Sequence, residues 1–200
     1  MFKKLNLVAL VAATATTAFA AYGPSAPSAP AASNSSWTLG VGYGQMFGLK
    51  KTTNSTTEEA RADKPKLLEV DLFNNSGLGL VYITSAEKSS IVNAASNDTV
   101  LSTDNYKFHG IFGGYQKSFA NNMTGRVILG VSTQEIDGTT NKSENEFAYG
   151  VSGAYHMNLS GKMNGFMELG YLGQKEFEFA SGKKVEGSGF YAKLGIKMPL

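Results

Sequence analysis

The sequence predicts an all-β fold: an eight-stranded, antiparallel, up-and-down transmembrane β-barrel. Three observations carry this expectation. Segments of about ten residues alternate large apolar with small or polar side chains, the small positions are crowded with glycine, and polar connections along the chain alternate long with short. Phe147 to His156 shows the alternation most clearly: Phe147, Tyr149, Val151, Gly153 and Tyr155 take one face, and Ala148, Gly150, Ser152, Ala154 and His156 the other.

Two hundred residues suit one domain, and a charged fraction of 17% with 23 glycines is low in charge and rich in Gly for a water-soluble one. Met1 to Ala20 has the layout of a secretory signal: Lys3 and Lys4 at the start, an apolar centre from Leu5 to Ala13, and Ala18-Phe19-Ala20 as a small-residue cleavage site. Residues 21–36, with Pro24, Pro27 and Pro30 among Ser and Ala, cannot supply ladder donors and read as an extended periplasmic linker. The barrel occupies 37–200. Removing Lys3 and Lys4 takes the 18 basic groups to 16, against 16 acidic ones. Zero net charge removes the electrostatic motive for a nucleic-acid partner. Cysteine is absent, which excludes disulfides, thiolate metal sites and a lipid-bearing cysteine. No stretch after the signal is long and apolar enough for a spanning helix, so insertion into a membrane requires strands.

The first strand runs from Trp37 to Phe47, with Trp37, Leu39, Val41, Tyr43 and Phe47 opposite Thr38, Gly40, Gly42, Gly44 and Met46. Gly48 to Pro65 is a polar connection in which Ser55 and Glu58, or Thr56 and Glu59, have capping-box spacing. The second strand, Lys66 to Phe73, sets Leu68, Val70 and Leu72 against Glu69 and Asp71; Asn74 to Gly77 is a tight turn by composition. The third, Gly77 to Ser85, sets Leu78, Leu80 and Tyr82 against Gly79, Val81 and Ile83. Ala86 to Asn105 reads as a polar loop. In the fourth strand, Tyr106 to Lys117, Phe108 and Phe112 argue for one phase and Ile111 and Tyr115 for the other, a conflict that a bulge would reconcile. After the turn Ser118 to Asn122, the fifth strand sets Val127, Leu129 and Val131 against Arg126, Ile128, Gly130 and Ser132. Gln134 to Asn145 connects to the sixth strand, described above, and Asn158 to Lys162 turns into the seventh. There Met167, Leu169 and Tyr171 oppose Phe166, Glu168 and Gly170. Gln174 to Gly187 is the last long connection. The eighth strand, Ser188 to Met198, sets Phe190, Ala192, Leu194, Ile196 and Met198 against Tyr191, Lys193, Gly195 and Lys197.

Alternation alone does not say which face points inward. Eight strands enclose a space just wide enough for side chains, which suits a glycine-rich interior and an apolar exterior in lipid. Trp37, Phe47, Phe73, Phe147, Tyr155, Tyr171 and Phe190 gather near strand ends, where aromatic girdles meet the headgroups. Four long polar connections and three short turns match extracellular loops and periplasmic turns. The expected location is therefore a Gram-negative outer membrane with both termini periplasmic.

The signal, the alternating strands, the loop rhythm and the closing Phe190 to Leu200 segment resemble the outer-membrane β-barrel family of the OmpA transmembrane domain and OmpX over about 37–200. The final strand ends Met198-Pro199-Leu200 where that family commonly carries a terminal aromatic residue read by the barrel-assembly machinery. With the apolar face in lipid, Glu69, Asp71, Arg126, Glu168 and Lys193 point into the lumen, where charges have to be paired. The expectation is a network of Arg126 and Lys193 with the three carboxylates, similar to the charged OmpA interior. It plugs the barrel or, alternatively, gates a narrow path for ions or small solutes. His109 and His156 also fall inward in the preferred phases, without a third ligand, so neither a metal nor a cofactor is expected. Lipid A deacylases of similar shape carry a His-x-Ser pair; here the sequence reads His109-Gly-Ile and His156-Met-Asn, so the expected protein is not an enzyme. A conduit for apolar molecules of the OmpW kind is disfavoured by the charged interior. Expected partners are outer-membrane lipid and lipopolysaccharide, the barrel-assembly machinery during biogenesis, and a surface ligand met through the loops.

Overall fold

The computed structural model describes residues 37–48, 60–62, 64–87, 89–93, 100–136, 145–180 and 183–200. The signal, the linker and the candidate caps at Ser55 and Thr56 lie outside them. The described elements are β1 (Trp37–Gly48), β2 (Ala60–Ala62), β3 (Lys66–Asn74), β4 (Leu78–Ser85), β5 (Ser89–Asn93), β6 (Val100–Ala120), β7 (Met123–Ile136), β8 (Glu146–Ser160), β9 (Met163–Gly173), β10 (Phe177–Ala180), β11 (Lys183–Glu186) and β12 (Gly189–Pro199). Eight of these strands close into an antiparallel barrel in the order β1-β3-β4-β6-β7-β8-β9-β12, and β12 returns to β1. Closure leaves no unpaired ladder edge along the barrel wall, the condition for crossing lipid with strands.

Outward positions follow the predicted phase. Leu78, Leu80 and Tyr82 on β4, Val127, Leu129 and Val131 on β7, and Phe190, Leu194 and Ile196 on β12 are exposed, and Leu169 on β9 is 70% exposed. No charged side chain occurs among the outward residues from Trp37 to Tyr43, Leu68 to Leu72, Ile111 to Tyr115, Phe147 to Leu159 or Met163 to Tyr171. An apolar surface this continuous has a stable place only against another apolar medium.

One end of the barrel carries short turns whose chemistry is local. Asn74 Oδ1 accepts hydrogen bonds from the backbone N–H groups of Ser76, at 3.0 Å, and Leu78, at 3.1 Å. Gly77 supplies the positive φ of 86° that the turn needs. Asn122 and Gly161 fill the same need in the turns after β6 and β8.

The other end departs from the sequence expectation. The sequence pattern of Ala86 to Asn105, Gln174 to Gly187 and Gly48 to Pro65 is that of polar loops, yet each contributes strand. β5 pairs with the start of β6, β2 with β5, β11 with β2 in parallel, and β10 with β11. The reason lies in β6, whose 21 residues span about 70 Å, more than twice the thickness of a membrane core. A strand that outruns the barrel leaves backbone donors and acceptors unpaired, and the connecting segments supply their partners. The phase of β6 is settled as well. Phe108 and Phe112 are buried, Ile111 and Tyr115 are exposed, and the register against β7 runs unbroken from Tyr106 to Ser118. No bulge is needed there; the register shift falls between Ser118 and Ala120, at the turn.

Candidate functional site

Period-two geometry turns Glu69 and Asp71 of β3, Arg126 of β7, Glu168 of β9, and Lys193 and Lys197 of β12 into the barrel, where all six are buried. Arg126 is the hub. Its Nη1 donates to Glu69 Oε1 at 2.6 Å, and its Nη2 donates to Glu69 Oε2 at 3.0 Å and to Glu168 Oε1 at 2.5 Å. Arg126 Nη1 also lies 3.6 Å from Asp71 Oδ2. Lys193 Nζ touches Glu69 Oε2 and lies 3.2 Å from Glu168 Oε1. Tyr191 Oη donates to Glu168 Oε1 at 2.8 Å. Three cations face three anions, so the cluster is neutral as a whole. That is the arrangement in which burial of charge is tolerable.

The glycine face of β1 explains why the cluster fits. β1 lies between β3 and β12, which together carry four of the six charges. Gly42 pairs with Glu69 on one side, and Gly44 with Lys193 on the other. A Cβ on Gly40 would stand 2.5 Å from Asp71 Oδ1, and one on Gly44 would run into the Lys193 side chain. The bare strand is the floor across which β3 and β12 reach each other. Gly195 makes room for the Phe166 ring in the same way, and Gly170 for the Tyr191 ring.

Lys197 was missing from the predicted network. Its Nζ donates to Gln116 Oε1 at 3.1 Å and lies 3.9 Å from Asp71 Oδ1, over the rings of Phe166 and Phe73 at 5.3 and 5.5 Å. Its position four residues after Lys193, on the same strand face, was the available signal. Hydrogen bonding within the cluster is incomplete: Asp71 Oδ1, Arg126 Nε and Lys193 Nζ make none, and Lys193 meets its carboxylates by ion pairing alone.

Toward the long-connection end the interior changes character. Met46, Leu67, Ile83, Phe108, Phe112, Ile128, Ala148 and Leu172 form an apolar cluster, each 2% exposed or less. The sequence expectation of a small-residue interior with a charge network did not single out this apolar layer, although Ile83 and Ile128 were placed on the inward face. Its cause is that inward positions on β4, β6 and β7 carry Ile and Phe where small or polar residues would have left open space. A polar knot follows at the rim. Tyr106 Oη donates to Gln134 Oε1 at 2.9 Å, Gln134 Nε2 donates to the Lys175 carbonyl at 2.7 Å, and Ser188 Oγ bonds both the N–H and the C=O of Gln174.

Of the seven aromatic residues expected at the membrane interface, Trp37, Phe47, Phe147, Tyr155 and Phe190 are exposed on the outer face, and Tyr171 is half-buried there. Phe73 is not among them. It shares the parity of Glu69 and Asp71, is 1% exposed, and packs inward over Gly79 and Gly114, which leave space for its ring. His109 is also corrected: it shares the outward face of Ile111. His156 does point inward, 2.8 Å from Thr124 Oγ1 and against the Phe166 ring.

No family model matches the chain, and no curated protein matches it in sequence. Solved structures do match in shape. Neisserial surface protein A superposes with a TM-score of 0.53 at 8% identity, over 83% of this chain and 98% of that one. The outer membrane protein OprG from Pseudomonas aeruginosa gives 0.46 at 11% identity, covering 81% and 91%. The outer membrane protein AlkL, solved in lipid bilayers, gives 0.43 at 11% identity, covering 88% and 94%. What the chain shares with the first of these is its fold.

Proposed function

We propose that this chain is an integral protein of a Gram-negative outer membrane, without catalytic activity, whose lumen is closed by its own side chains. Its task is to anchor a surface platform of paired connecting segments outside the cell, with both termini in the periplasm. The observation that carries this reading is the sorting of charge. Charged groups of the membrane-spanning stretch turn inward and neutralise one another, while among the described residues the outward positions between the strand ends carry none. Side chains packed across both halves of the interior support a closed lumen, since neither the ionic cluster nor the apolar layer offers a hydrated path.

The test is a refolded, detergent-purified sample. Insertion is read from the mobility difference between unheated and boiled protein in SDS, and the lumen from conductance in a planar bilayer. Inserted protein without discrete steps is the expected result. Steps that change with Lys193→Met would replace the closed lumen by a gated pore, and absence of any mobility shift would remove the membrane reading itself.

A further inference from the structure

The outer surface is not uniform around the barrel. On β1, β12, β9 and β8 the outward side chains toward the long-connection end are Phe47, Phe190, Tyr171, Tyr149 and Phe147, with Gly173 beyond Tyr171 on β9. On β7, β6 and β4 the row that carries Phe147 continues as Val131, Ile111 and Tyr82, apolar with a single ring, and the next row toward that end holds Thr133, which is buried, His109 and Thr84. Four of the rings are in contact: Phe147 and Tyr149 stack at 6.2 Å between centroids, Tyr149 meets Tyr171 at 6.2 Å, and Tyr171 meets Phe190 edge-on at 5.4 Å. The Tyr149 ring lies across Gly173, where any side chain would collide with it. Two residues beyond Gly173, Lys175 Nζ meets both carboxylate oxygens of Glu146 at 3.0 and 3.1 Å, and the Lys175 side chain stays 66% exposed.

Generic interfacial anchoring asks for single rings spaced around the circumference. A ledge of four touching rings across three strands, about 10 Å wide, is a different object. Aromatic faces pack against the C–H faces of sugar rings, a carboxylate accepts from sugar hydroxyls, and an ammonium meets phosphate. Below the ledge, Leu169, Leu194 and Met167 continue the wall as exposed apolar surface able to lie along acyl chains. The geometry points to a docking site for one phosphorylated glycolipid of the outer leaflet, its sugars on the Phe147-Tyr149-Tyr171-Phe190 ledge and its phosphate at Lys175. This inference rests on the outer-membrane reading above.

The experiment measures retention of lipid A by the refolded full chain, using native mass spectrometry from detergent micelles. Phosphorylated lipid A, dephosphorylated lipid A and a phosphatidylglycerol are the probes, and the SDS mobility shift is checked for every sample. Tyr171→Leu combined with Phe190→Leu keeps the surface apolar and is expected to weaken lipid A retention about tenfold. Lys175→Gln is expected to weaken the phosphorylated form and leave the dephosphorylated one unchanged, and His109→Ala on the opposite wall to change neither. Equal retention by wild type and the double variant overturns the site, as does retention of phosphatidylglycerol equal to that of lipid A. Variants that insert and bind normally therefore refute the ledge alone, whereas a wild type that fails to shift in SDS defeats the membrane reading as well.

Discussion

The two halves of the barrel interior are both lined by buried side chains and are held by opposite physics. Toward the short turns, Arg126 holds Glu69 and Glu168 through directional hydrogen bonds, and Lys193 and Lys197 face the carboxylates as ion pairs, so that β3, β7, β9 and β12 are joined across the lumen. Toward the long connections, Phe108, Phe112, Ile83 and Leu172 fill space with side chains that have no preferred partner. The difference separates two tasks. Dispersion excludes water and tolerates rearrangement, while a neutral ionic knot tolerates only one register, because a slip of one residue along any contributing strand would turn its charge toward the exterior. The apolar half also bears on the ionic half, since low-dielectric surroundings strengthen each pair beside it.

That contrast can be broken most forcefully at its hub. Arg126→Met leaves three carboxylates with two lysines and is expected to cost about 3–5 kcal/mol, read as a lower urea midpoint of the inserted protein. A change below about 1 kcal/mol would show that the ionic half is dispensable. In the apolar half, Leu172→Ala should cost about 2–4 kcal/mol by the same assay, with the SDS mobility shift and register preserved. Moving charge from inside to outside, Leu129→Lys should cost about 2–3 kcal/mol, and tolerance at that position would mean that the wall does not face lipid. Lys197→Met is expected to cost only about 1 kcal/mol, because the ammonium stands 3.9 Å from Asp71 and leans on ring faces.

The smallest effect lies at the rim. Lys66 Nζ donates to Glu87 Oε2 at 2.7 Å and holds that carboxyl below its ordinary range. A folded-state value below the unfolded one means that the pair contributes at neutral pH and is lost as pH falls through the folded value. Both groups are exposed, so the observable is an NMR titration. Lys66→Met should return the Glu87 midpoint to the ordinary carboxylate range while leaving the urea midpoint in place.

The barrel strands were legible because their outward faces stay apolar over the whole length, and the same parity places all six buried charges inside, although it does not say that Lys197 belongs to the cluster. What escaped depended on contacts between distant strands. Lys197 joins the cluster only because the β1–β12 closure sets it opposite Gly40, which also faces Asp71. Phe73 was misread by residue type: an aromatic at a strand end suggests an interface, but its parity and the gaps at Gly79 and Gly114 draw it inside. The phase of β6 could not be fixed locally, since Phe108 and Ile111 are equally apolar and only the neighbouring strands decide between them. The apolar layer was hidden for a related reason, as Phe, Ile and Leu occur on both faces of these strands. The strands within the connections were invisible because their partners lie in other connections.

The seam between β1 and β12 joins Thr38 to Pro199, 161 positions apart. Every other pair in the wall can form between strands that are neighbours in sequence order along the ring, but this one waits for the whole chain. Folding is therefore expected to be slow and late-committing, since a contact so distant contributes nothing until nearly all the intervening chain is ordered. Until that moment both rims of the growing sheet are open and Glu69 has no Lys193. The step that seals the wall is also the step that completes the charge cluster, so an incompletely zipped barrel holds its acids short of cations and is the form most exposed to aggregation or rejection.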